Sequence, residues 1–308
     1  MCAFREVFTK RFLRAVTGEF LGTLFLVLIG LNSTKWAGTE EGTKSSTILM
    51  ISLCFGLSIT TMVYCFGHVS GAHINPAVTV ALVFSRKFNL DKAFFYIVSQ
   101  CLGAAAGSAI VYVAVPKTEN KTFGVTLLSS DISLIQGIMV ELLITFQLVF
   151  TVFTTCDPKN SDLKGSAALA IGFSVTIGHL FAVPYTGASM NPARSLGPAF
   201  INWNWEHHWV YWLGPIAGGV LAAIMYKYLC QPSLNLKQCV MNSFSKEPSK
   251  KFEDQIESFP VLEKSDMERD EKNPGFLESL WAFARDRAGD GKPKPFNNIE
   301  EKMETAEP

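Results

Sequence analysis

Six mostly apolar runs, at residues 15–31, 47–66, 93–115, 132–155, 166–185 and 209–229, occupy most of the chain up to residue 230. Each is close to the ~20 residues that a helix needs to cross the hydrocarbon of a bilayer. Lipid offers no partner for backbone N–H and C=O groups, so such a run crosses only as a helix that satisfies them itself. The runs predict an all-α membrane protein with six transmembrane helices. The first reads as a permanent span rather than a cleaved signal, because Glu19 interrupts it and no small-residue cleavage site follows. Small residues four apart (Gly18 and Gly22, Gly103 and Gly107, Gly214 and Gly218) suit close helix packing in lipid.

Charge is sparse where these runs lie. Residues 1–230 hold 15 Lys and Arg and 11 Asp and Glu, out of 27 and 27 in the 308-residue chain. That is too few for the surface of a soluble domain. The net charge of zero also argues against a nucleic-acid partner, which needs a basic surface to displace counterions from phosphates. The chain thus divides into a short segment at 1–14, a membrane domain at 15–230 and a charge-rich tail at 231–308, expected to be mostly disordered. Arg5, Lys10, Arg11 and Arg14 precede the first span, and Arg86, Lys87 and Lys92 follow the second. They outnumber Lys35, Lys44, Lys117 and Lys121 on the other side, which places both termini in the cytoplasm. Asn120-Lys121-Thr122 then becomes an outward-facing glycosylation sequon with Asn120 as acceptor.

The seven cysteines form no CxxC and no His/Cys cluster with zinc spacing, so neither a metal nor a disulfide framework is expected. Cys2, beside the basic start, and Cys230 and Cys239, past the last span, are candidate palmitoylation sites, with inert thiols as the alternative. No nucleotide motif or nucleophile–base pair stands out, so the chain reads as no enzyme and no cofactor is expected.

Two further apolar runs, at 77–84 and 193–201, are too short to cross. Each follows an Asn-Pro-Ala triplet: Asn75-Pro76-Ala77 recurs as Asn191-Pro192-Ala193, 116 residues on. Tyr96, Gly103 and Gly107 match Tyr211, Gly218 and Ala222, and Glu19 matches Glu141. Each half, about 15–115 and 132–230, therefore holds three spans and one short run. An odd number of spans turns the second half upside down, and interrupted segments at corresponding places of an inverted repeat point to a transport site near mid-membrane.

Asn is a favoured N-cap and Pro suits the first helical position, so each short run should be a half-helix beginning at its Asn-Pro. Inversion brings the two N-termini together, each equivalent to about half a positive charge. Cations, hydronium included, are repelled there. The two Asn NH₂ groups should aim at one spot, where a water would accept from both and turn its hydrogens along the pore. Such a water cannot relay a proton.

The two triplets, with the surrounding segments 52–80 (SLCFGLSITTMVYCFGHVSGAHINPAVTV) and 185–199 (YTGASMNPARSLGPA), resemble the aquaporin (major intrinsic protein) family over roughly residues 9–230. The resemblance implies a water-selective channel in the plasma membrane, a homotetramer with a pore in each subunit, and exclusion of protons by an Arg and half-helix dipoles. It places an outer selectivity filter on Phe55, His179, Ala188 and Arg194. The glycerol-conducting branch typically has Asp after its second Asn-Pro-Ala-Arg and a small residue in place of the histidine. Here Ser195 and His179 stand there, which favours water. Ala188 occupies a position where many members carry a mercury-reactive Cys, so insensitivity through that site is expected.

The resemblance further implies that Glu19 and Glu141 accept hydrogen bonds from the loops before each half-helix, and that His73 braces the first loop. His68 is a candidate gate at the cytoplasmic pore mouth, with a solvated loop histidine as the alternative. The short N-terminal segment is similar to that of array-forming members, making higher-order arrays an expectation beside the tetramer. Two other readings stay open: a broader channel for glycerol, ammonia, CO₂ or peroxide, and a structural membrane-junction protein with a vestigial pore.

Overall fold

The computed structural model of the chain describes residues 9–34, 44–114, 124–157 and 166–230. They form eight helices: α1 (Lys10–Ser33), α2 (Lys44–Ser70), α3 (Pro76–Phe84), α4 (Leu90–Ala114), α5 (Leu134–Thr155), α6 (Ala167–Thr186), α7 (Pro192–Asn202) and α8 (Val210–Cys230). All but α3 and α7 are long and apolar enough to cross a membrane. α1 runs past the apolar stretch that announces it, because a polar cap starts it earlier. Thr9 Oγ1 accepts from Phe12 N at the start of α1. A reciprocal capping box, Ser133 with Gln136, opens α5. At the other end of α6, Gly187 takes a left-handed φ of 75°, a conformation glycine adopts without steric cost.

The packing repeats itself between the halves. In the first, α1 lies on α2 and α4; in the second, α5 lies on α6 and α8. Both long contacts turn on a missing side chain. A Cβ on Gly103 of α4 would strike the Phe20 carbonyl of α1, and one on Gly218 of α8 would strike the Leu142 carbonyl of α5. These are rigid backbone neighbours, so close approach depends on glycine. The halves meet along α2 and α6, where Gly56 packs against Thr176 and Gly172 against Thr60. As one helix advances the other recedes, so α2 and α6 run antiparallel. Since they are corresponding helices of the two halves, the repeat is inverted.

Each half-helix leans on the last helix of the opposite half, α3 on α8 and α7 on α4. The outer faces carry large exposed apolar side chains such as Leu57, Phe94, Phe173 and Ile177. Six such faces around one bundle are far more apolar surface than a soluble domain exposes. Inside, the buried carboxylates Glu19 and Glu141 lie among apolar clusters next to the two half-helices.

Candidate functional site

The chain entering each half-helix is backbone under strain. Gly71, Ala72 and Ile74 have φ of 83°, 46° and 53°; Gly187, Ala188 and Met190, each 116 residues on, have 75°, 52° and 51°. The left-handed region costs an L-residue roughly 1–2 kcal/mol, and a β-branched residue such as Ile74 rarely enters it. Two buried carboxylates hold these loops. Glu19 Oε1 accepts from Ser70 Oγ (2.6 Å) and His73 N (2.9 Å), and its Oε2 from Ile74 N (2.6 Å) and Gln100 Nε2 (2.7 Å). Glu141 Oε1 accepts from Thr186 Oγ1 (2.6 Å) and Ser189 N (2.9 Å), and its Oε2 from Met190 N (2.9 Å). Neither glutamate has any exposed surface. A buried carboxylate is tolerable when donors surround it, and here loop N–H groups, two hydroxyls and the Gln100 amide supply them.

The supports around each loop also correspond. Tyr96 and Tyr211 donate their hydroxyls to the carbonyls of Ser70 (2.8 Å) and Thr186 (3.0 Å). His73 Nδ1 lies 3.1 Å from Thr79 Oγ1, and the His73 ring packs against Phe88 and Tyr96. At the matching place in the second half, Ser195 Oγ donates to Ser189 Oγ (2.6 Å).

The two asparagines cap their half-helices and join them. Asn75 Oδ1 accepts from Ala77 N (2.8 Å), and Asn191 Oδ1 from Ala193 N (3.0 Å) and Arg194 N (3.3 Å). With the oxygens held, the NH₂ groups point outward from the helix ends. Asn75 Nδ2 donates to the Met190 carbonyl and Asn191 Nδ2 to the Ile74 carbonyl, both at 2.8 Å. This refines the expectation that both amides serve one water. One hydrogen of each NH₂ ties the opposing loop, which leaves one hydrogen on each for a solvent molecule. Pro76 and Pro192 sit at the first helical positions, where a missing N–H removes no bond.

To one side of this junction runs an apolar cavity walled by Ile59, Val63, Val78, Leu148, Ile171 and Val175, reaching out to Lys87 and Cys156. To the other side three large side chains converge. The rings of Phe55 and His179 stack with centroids 4.5 Å apart, and the Arg194 guanidinium carbon lies 4.7 Å from the Phe55 centroid. Arg194 Nη1 donates to the Gly124 carbonyl (2.9 Å), and His179 Nδ1 pairs with the Val175 carbonyl (2.9 Å). That pairing assigns the ring proton to Nδ1 and leaves Nε2 an acceptor. Arg194 Nε and His179 Nε2 have no hydrogen-bond partner among the described residues. Unpartnered polar atoms at such depth need water or another ligand. Ala188 is fully buried and packs in the same core cluster as Phe55.

Other candidates lie apart from this constellation. His68 is exposed in the last turn of α2, and Cys230 is exposed at the end of α8. Asn120, Cys2 and Cys239 fall outside the described residues. Sequence reading did not find Ser70, Thr186, Gln100, Thr79 or the Gly124 carbonyl. The 116-residue spacing of Ser70 and Thr186 was a usable signal. Gln100 and Gly124 act through partners that only the fold brings near.

A family model described as major intrinsic protein matches residues 6–226. Aquaporin-4 of Mus musculus and of Homo sapiens are each 56% identical to the chain over 247 residues, covering 80% of it and 76% of their own length. Lens fiber major intrinsic protein of Lithobates pipiens is 47% identical over 224 residues, covering 72% of this chain and 83% of its own. Among solved structures, the aquaglyceroporin from Plasmodium falciparum superimposes with a TM-score of 0.65 at 25% identity, over 72% of this chain and 98% of that one. With the opposed half-helices in place, these matches lead to one conclusion: the chain belongs to the major intrinsic protein family.

Proposed function

We propose that the protein is a water-selective channel for passive, bidirectional osmotic flow that excludes protons and ions. The observation that carries this reading is the meeting of two half-helix N-termini through reciprocal Asn75–Met190 and Asn191–Ile74 hydrogen bonds. Each N-terminus acts as roughly half a positive charge, and each Asn keeps one amide hydrogen for the permeant. A water between them accepts twice and has its own hydrogens turned outward along the path, so it passes on no proton. The apolar wall beyond binds water weakly and lets it move on.

Phe55, His179, Ala188 and Arg194 form the narrow outer filter. Arg194 adds a fixed cation and His179 Nε2 an acceptor, replacing the hydration that a single water gives up, while the two rings leave little width for a carbon chain. This barrier is of the kind by which aquaporin-type pores are understood to select. Glu19, Glu141 and His73 are structural supports of the pore loops. Plasma-membrane residence, cytoplasmic termini and assembly as a homotetramer, with higher-order arrays beyond it, belong to the same reading. Stopped-flow swelling of proteoliposomes tests it: rapid water entry with glycerol exclusion is expected. Equal entry of glycerol would favour a broader channel, and water entry no faster than in empty liposomes a vestigial pore.

A further inference from the structure

Arg194, His179 and Phe55 account for the outer constriction, but nothing in them explains why the Phe55 ring sits where it does. The answer lies on α1, a helix that contributes no side chain to the filter. A Cβ built on Gly30 would come within 2.5 Å of Phe55 Cζ and 2.7 Å of its Cδ1. Carbon atoms do not approach so closely, so the ring occupies space that any side chain at position 30 would claim. Phe55 has little freedom to retreat: His179 stacks on it at 4.5 Å and the Arg194 guanidinium lies 4.7 Å from its centroid. Displacing the ring therefore disturbs His179 and Arg194, two of the other members of the filter. The next residue of α1 acts on the same constriction. Leu31 packs against Gly124, whose carbonyl accepts the Arg194 Nη1 hydrogen bond.

We infer that Gly30 is a positioning and specificity-determining residue of the water filter: its missing side chain lets the Phe55 ring lie back against α1 and holds the aperture open. This rests on the reading that Phe55 belongs to the filter. An added methyl must push the ring by about an ångström, since carbon–carbon contacts settle near 3.5–4.0 Å. In a passage one water wide, such a shift decides conduction.

The test is water permeability per channel in proteoliposomes, normalised to protein and accompanied by size-exclusion elution to verify assembly. Gly30→Ala is expected to reduce permeability about threefold and Gly30→Val about tenfold, the latter corresponding to a barrier ~1.4 kcal/mol higher. Both should elute as the unaltered protein does. Shortening the ring should remove the effect: in a Phe55→Leu background, Gly30→Ala is expected to change nothing. Full permeability of Gly30→Ala with Phe55 in place overturns the inference. So does an equal loss in both backgrounds, which would mark a general packing defect. Phe55→Leu alone reports separately on the filter. If it alters neither water nor glycerol passage, the filter assignment fails, and the Gly30 inference with it.

Discussion

Glu19 and Glu141 sit inside apolar helices, and their hydrogen bonds show what each would lose on becoming an amide. Glu19 receives four donors, two on each oxygen. Glu141 receives three, with Met190 N the single donor on Oε2. A Gln in either place turns an NH₂ toward N–H or O–H groups that need an acceptor. Each stranded buried donor costs about 1–3 kcal/mol. At either position the amide can turn its NH₂ toward a hydroxyl, Ser70 Oγ or Thr186 Oγ1, which accepts it while directing its own hydrogen to a helix carbonyl, so one backbone N–H is stranded in each case. Glu19→Gln and Glu141→Gln should therefore lower the unfolding temperature in detergent by similar amounts; either variant unfolding as the unaltered chain does would contradict this account of the loops. Arg194→Val belongs to the same scale. It removes the buried cation and the bond to Gly124 but leaves the Asn191 cap intact, so folding should survive. Glycerol uptake should rise, and unchanged exclusion would contradict the filter assignment. The asparagines and Arg194 were legible in the sequence because motif and spacing single them out. Gln100 was not, since a lone Gln among apolar residues gives no sign of a carboxylate 81 positions away.

Helix α4 meets α1, and α8 meets α5, at contacts that only hydrogen can fill. Gly103→Val and Gly218→Val would each drive a branched side chain into a helix carbonyl. Backbone cannot yield as a side-chain tip can, and both variants should fail to give a monodisperse protein in detergent. At Gly18 the nearest atoms to an added Cβ lie at 3.5 Å, an ordinary contact. Gly18→Ala should therefore elute and unfold as the unaltered chain does. Loss of Gly18→Ala, or survival of Gly218→Val, would show that the helix spacing is misread. The six long helices were visible as apolar runs, and the two half-helices as runs too short to cross that begin at Asn-Pro. Their ends were less visible. Thr9 carries α1 beyond its apolar run, whereas the Ser133–Gln136 box starts α5 inside its run, and hydropathy does not register a cap.

Across the whole molecule, one inverted repeat produces two loops, two carboxylates and two asparagines whose hydrogen bonds mirror each other. The halves differ in how they complete the path: hydrophobic walls reach Lys87 and Cys156 on one side, and Phe55, His179 and Arg194 crowd the other. The repeat spacing made the symmetry readable before the fold was seen. The cross-bonds from Asn75 to Met190 and from Asn191 to Ile74 were not readable, because their acceptors are backbone carbonyls without a residue signature. Those bonds aim the remaining amide hydrogens, and on the proposed reading that aim separates water flow from proton flow. The most direct measurement follows both in one preparation: light scattering for volume and an enclosed pH-sensitive dye for protons, in proteoliposomes given an osmotic step and a pH gradient. The account predicts water entry well above that of empty liposomes, with proton entry no faster than theirs. Proton entry that rises with the amount of channel, or water entry that does not, would contradict it.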